Sequence, residues 1–74
     1  MRLVVGLESS GDVPSVTDAL RAAGAVHVFP PQPSLPDVVV AEFPDNIDEG
    51  AALHSITALN GVRYAEPDGL RGPS

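Results

Sequence analysis

Four prolines fall within seven residues at Pro30–Pro36, "PPQPSLP". Each fixes φ and removes a backbone donor, so the segment cannot lie inside a helix or a central strand. It divides the 74-residue chain into two stretches of similar pattern, each reading as strand, helix, strand. The likeness is one of topology only, because the two halves share no sequence repeat.

The first half opens on Arg2 to Glu8, "RLVVGLE", a short apolar run that predicts a buried strand. A turn, "SSGDVP", follows, in which Ser10 or Asp12 can cap a helix and Pro14 suits its first turn. The helix is expected over about Val13 to Ala23, with Val16, Ala19, Leu20 and Ala23 on one face and Gly24 as its stop. Ala25 to Phe29, "AVHVF", is the second strand.

In the second half, Asp37 to Phe43, "DVVVAEF", predicts a third strand, with Val38 and Val40 on one face and Val39 on the other. "PDNIDEG" reads as a helix start: Asp45 or Asn46 as the cap, Asp48 and Glu49 in a first turn where the dipole favours acids. Ile47, Ala51, Ile56 and Leu59, or Leu53 beside them, supply the apolar stripe, and Asn60-Gly61 ends it. Val62 to Glu66 is the fourth strand.

The order β-α-β-β-α-β with right-handed crossovers predicts an α+β, ferredoxin-like fold. It has a four-stranded antiparallel sheet with both helices on one face. The expected division is a domain at residues 1–69 and an extended tail at 70–74. A chain this short buries only about 60% of its unfolded surface. Without cysteine, no disulfide or thiolate metal site can add to its stability.

Charge narrows the function. Ten acidic residues stand against four arginines and no lysine, for a net charge of −6, which argues against nucleic acid and against an anionic membrane surface. No apolar run approaches the roughly 20 residues of a membrane span. Met1-Arg2 leads into a short strand and does not read as a signal peptide, although a processed fragment would look the same.

Catalytic and cofactor chemistry has few residues to use. RNA binding through such a sheet needs exposed aromatics on a basic background, whereas this chain has only Phe29, Phe43 and Tyr64 and is acidic. No phosphate-binding glycine loop occurs, and no cofactor is expected. His27 and His54 sit on different elements, and a zinc site would need both to converge with a carboxylate, so the expectation is no metal. Ser9-Ser10 reads as a cap because no His-Asp partner is evident. The expectation is that the chain is not an enzyme.

The informative feature is the end. A strand runs through Tyr64 and Glu66 into Pro67, Asp68, Gly69 and then "LRGPS". "ALNGVRYAEPDG", Ala58 to Gly69, resembles the end of the propeptides of subtilisin-type serine proteases, where a helix leads through a Gly-Val turn into an aromatic-x-Glu-x-Asp strand and a tail. "VHVFPPQPSLPDVVVAEFP", "RLVVGLE" and "DALRAAGA" also resemble that family in order and spacing.

The resemblance implies a ferredoxin-like inhibitor and intramolecular chaperone. Its sheet would dock on two surface helices of the protease, and it would be secreted with that protease. It implies a protease-binding set of Tyr64, Glu66, Asp68, Leu70, Arg71, Gly72, Pro73 and Ser74. Glu66 and Asp68 would cap the N-termini of the protease helices, where unpaired N–H groups and a positive dipole end favour carboxylates. Leu70, Arg71, Gly72 and Pro73 would fill non-primed subsites, with the Ser74 carboxylate as bound product. Arg71 and Pro73 differ from the usual residues there, which implies unusual subsites in the cognate protease or a boundary shifted by a few residues. Whether the chain is a cleaved prodomain or a stand-alone inhibitor stays open. The alternative is a small-molecule-sensing ferredoxin-like regulatory domain that dimerises through its sheet, with "ESSGD", Glu8 to Asp12, as its ligand loop.

Size, eight prolines and a charge of −6 predict weak stability at low salt. Added salt screens carboxylate repulsion and should raise the melting temperature in circular dichroism. A cooperative melt at high temperature, unchanged by salt, would contradict this.

Overall fold

A computed structural model describes residues 1–68. The elements are β1 (Arg2–Leu7), α1 (Val13–Ala22), β2 (His27–Phe29), β3 (Val38–Glu42), α2 (Glu49–Thr57) and β4 (Val62–Pro67). The strands form one sheet in the order β2-β3-β1-β4, every neighbouring pair antiparallel. This is the predicted ferredoxin-like arrangement: each βαβ half leaves a gap that a strand of the other half fills.

β1 is central, with Arg2↔Glu42 to Gly6↔Val38 on one side and Leu3↔Pro67 to Gly6↔Tyr64 on the other. Its side chains alternate across the sheet. Leu3, Val5 and Leu7 are fully buried and join Val28, Val39, Ala41, Phe43 and Val62 against Val16 and Leu20 of α1 and Ala52 and Ile56 of α2. Both helices therefore cover one sheet face, and no polar side chain is buried among the described residues. A bulge between Gly6 and Leu7 moves the register by one, which brings Val62 opposite Leu7 and turns it into the core.

The element ends show why the chain turns where it does. Ser9, not Ser10 or Asp12, supplies the capping side chain: its Oγ accepts from the Gly11 N–H at 3.1 Å, and a short 3-10 turn over Ser10–Asp12 precedes α1. Asp12 occupies the α1 cap position without a side-chain bond, and Pro14 lies in the first turn as expected. Gly24 has φ +116, and the Gly24 N–H donates to Arg21 O at 3.1 Å while the Ala25 N–H donates to Leu20 O at 3.0 Å. That paired closure satisfies the last carbonyls of α1 and needs a left-handed residue at the turn. It also occupies Ala25, so β2 begins at His27 and not at Ala25.

The other differences have similar local causes. β3 spans Val38–Glu42, shorter at each end than Asp37–Phe43. The α2 cap is Asp48, not Asp45 or Asn46. Its Oδ2 accepts from the Ala51 N–H at 2.8 Å, and a turn closed by Ile47 N–H to Pro44 O at 3.2 Å uses up the residues before it. Starting later rotates the stripe, so Ala52 and Ile56 are buried while Ala51 faces out. Ala23, one residue past α1, is also exposed. At the far end β4 runs one residue further than expected, to Pro67.

Because the cap is Asp48, Asp48→Ala should lower unfolding stability by about 1 kcal/mol, while Asp45→Ala and Asn46→Ala should each cost clearly less. Urea unfolding of the three variants checks the assignment, and an equal loss at Asp45 would reject it.

Candidate functional site

Among the described residues no other helix or strand covers the sheet face opposite the helices. The strand register lays its side chains out in rows. At one end His27, Glu42 and Arg2 stand opposite one another across β2, β3 and β1. Asp68 completes the row, its N–H donating to Arg2 O at 2.9 Å. The next row is Phe29, Val40, Val4 and Glu66, and the third is Val38, Gly6 and Tyr64. Charge thus concentrates at one end and apolar surface in the middle.

Several contacts fix this surface. The Arg2 guanidinium lies over the Phe29 ring, 5.0 Å from its centre, and the His27 ring meets Phe29 edge-on at 4.3 Å. Tyr64 lies across Gly6, close enough that a Cβ on Gly6 would collide with its ring. The missing side chain is what lets the aromatic ring lie flat on the sheet. Arg63 flanks Tyr64 at 5.7 Å from the ring centre and pairs with Asp37 at 3.4 Å. Half-exposed ion pairs like this one contribute little to stability, so the pair acts mainly to orient Arg63.

The proline-rich connection borders the same face. It does not run as an extended polyproline helix. It makes two successive turns, the Leu35 N–H donating to Gln32 O at 2.9 Å and the Val38 N–H to Leu35 O at 3.2 Å. A ligand for polyproline-binding modules needs the extended form, so this loop does not present one. With Arg2, Val4, Phe29, Val38, Val40 and Asp68 the loop encloses a hollow of about 340 Å³ on the open face.

Tyr64, Glu66 and Asp68 all lie on this face along β4 and its end, and none of the three forms an ion pair among the described residues. Leu70, Arg71, Gly72, Pro73 and Ser74 lie outside the described residues. Val4, Gly6, Phe29, Leu35, Val38 and Val40 are part of the same surface and were not singled out from the sequence as site residues. The alternation of "RLVVGLE" against a one-sided core is the signal that would have found Val4 and Gly6.

The remaining candidates are dispersed. His27 is exposed at the start of β2 and His54 is exposed on α2. Among the described residues no group of three or more metal-ligating side chains comes together. In the Glu8–Asp12 loop the Ser9 hydroxyl is engaged as a cap, and the Glu8 N–H donates to Gly61 O at 2.7 Å. Among the described residues no helix is long and apolar enough to cross a membrane. No protein-family model, curated protein or solved structure matches the chain.

Gly6→Ala should leave the fold intact, since the added methyl points to the open face, but it should lift the Tyr64 ring from the sheet. Proton shifts of the Tyr64 ring and of Val4 and Val38 report this. Unchanged ring shifts would show that Tyr64 does not rest there.

Proposed function

We propose that this chain is a binding domain of the subtilase-propeptide type, which docks on a subtilisin-type serine protease, inhibits it and assists its folding. The observation that carries the reading is the open sheet face. It presents an apolar middle, an aromatic side chain laid flat on it, and two carboxylates along the strand that leads toward residues 70–74.

Each part has a physical use in such a complex. Val4, Val38, Val40 and Tyr64 offer apolar and aromatic surface whose burial drives association. Glu66 and Asp68 project from alternate positions on the same side of β4, so both face a docked partner together. Carboxylates so placed suit the unpaired N–H groups at helix N-termini of the partner. The segment after Asp68 would reach the substrate cleft, adding strand-like hydrogen bonds and the product carboxylate of Ser74. Two linked contact areas hold a product that either alone would release.

The test is the inhibition constant of the intact chain, of a form lacking residues 70–74, and of Glu66→Ala/Asp68→Ala, against subtilisin-type proteases. Removing the tail should weaken inhibition sharply while the circular dichroism spectrum is kept, since the core elements lie within Arg2–Pro67. The double substitution should weaken it by up to several hundredfold, from about 0.3–2 kcal/mol per carboxylate. An intact chain that inhibits no such protease would end this reading. Inhibition indifferent to tail deletion would remove its product-mimic part.

A further inference from the structure

The open face is not uniform: the proline-rich connection gives it a built, one-sided pocket. Leu35 is 51% exposed, a large apolar side chain with no place in the core. Two successive turns and the flanking Pro33 and Pro36 hold it at the pocket mouth. Phe29, on the opposite wall, is pinned by Arg2 above it and His27 beside it. Val4, Val38 and Val40 form the floor. Both walls are thus set before any partner arrives, which removes the ordering cost that a flexible loop would pay on binding.

The charge around the pocket has a sign. Among the described residues Glu42, Glu66 and Asp68 stand on this face against Arg2, which is already stacked on Phe29, while the Arg63 guanidinium beside Tyr64 is matched by Asp37. The floor itself carries no charge. An apolar pocket edged by Arg2 and Asp68, with Glu42 and Glu66 beside it on the same face, has the anatomy of an interface hot spot that takes one large apolar side chain from a surface bearing cationic groups.

We infer that the Leu35–Phe29 pocket is the anchor of the docking face. It seats a single leucine, methionine or aromatic side chain that the partner carries on a helix flanked by lysine or arginine. Leu35 is its specificity-determining residue. This rests on the reading of the open face as a protease-docking surface and adds to it a contact on the side away from β4. A second copy of this chain is a poor occupant, because among the described residues it would bring a like-charged face, again with more carboxylates than guanidinium groups.

The experiment compares the intact chain with Leu35→Met, Leu35→Ala and Leu35→Asp in inhibition of a subtilisin-type protease. Circular dichroism melts check that the fold is kept, as the exposure of Leu35 predicts. Leu35→Met should match the parent, Leu35→Ala should weaken inhibition by about 5- to 30-fold, and Leu35→Asp should weaken it more. Inhibition by the parent with all three variants within twofold of it would overturn the anchor and leave the protease reading standing. If the parent inhibits no such protease, that reading falls. The anchor is then decided by nitrogen-15 shift titration of the intact chain with two synthetic amphipathic helical peptides, one of leucine and lysine, the other of leucine and glutamate. Shifts at Val4, Leu35 and Val40 from the lysine peptide, absent with the glutamate peptide and lost in Leu35→Asp, support it. No shifts, or equal shifts from both peptides, overturn it.

Discussion

β1 is the strand on which the rest of the molecule depends. It is hydrogen-bonded on both sides, to β3 and to β4, and so fills the gap between the two strands of the other βαβ half. Its alternation sets two surfaces at once. Leu3, Val5 and Leu7 point to the helices and form the centre of the core, while Arg2, Val4 and Gly6 point the other way and form the centre of the open face. A one-residue slip in its pairing would exchange the two sets, so core burial fixes the register of the candidate site as firmly as it fixes the fold.

The open face is firm for a different reason. Among the described residues it has no second layer, and what holds it is local. Arg2, His27 and Phe29 brace one another, Tyr64 rests on the bare backbone of Gly6, and Leu35 is carried on consecutive turns. None of these contacts buries a charge, so none incurs a large desolvation cost. The surface can be apolar in the middle and charged at its margin without straining a small domain.

Much of the fold could be read from the residues because it depends on period and punctuation. Pro30–Pro36, Gly24 and Asn60-Gly61 mark breaks that few alternatives satisfy, and the Val-rich runs fit strands far better than helices. The caps were harder. Asp45, Asn46 and Asp48 are all competent, and only the turn closed by Ile47 and Pro44 selects Asp48. Ser9-Ser10 reads as a cap, and Ser9 is the one of the pair that fills the role because a 3-10 turn inserts itself before α1. Of the site, Tyr64, Glu66 and Asp68 share one face as strand alternation requires. The Phe29–Leu35 side was not legible, because nothing in "PPQPSLP" announces that the loop folds back into two turns beside β2. Long-range placement of a loop is set by the sheet it rests on, not by its own composition.

Pro67 closes β4, the strand at one margin of the sheet. The Asp68 N–H bonds to Arg2 O, and bonds to a neighbour alternate along an antiparallel strand, so position 67 faces away from β1. The donor that proline lacks is therefore one the sheet never used. It would have pointed outward, where an incoming strand from another molecule could pair with it. The margin loses an outward donor where the strand leaves the sheet, and a neighbour that began to extend the sheet there would find one hydrogen bond missing. Pairing of a further strand at this end of β4 is thereby weakened by one hydrogen bond, at no cost to the domain's own ladder.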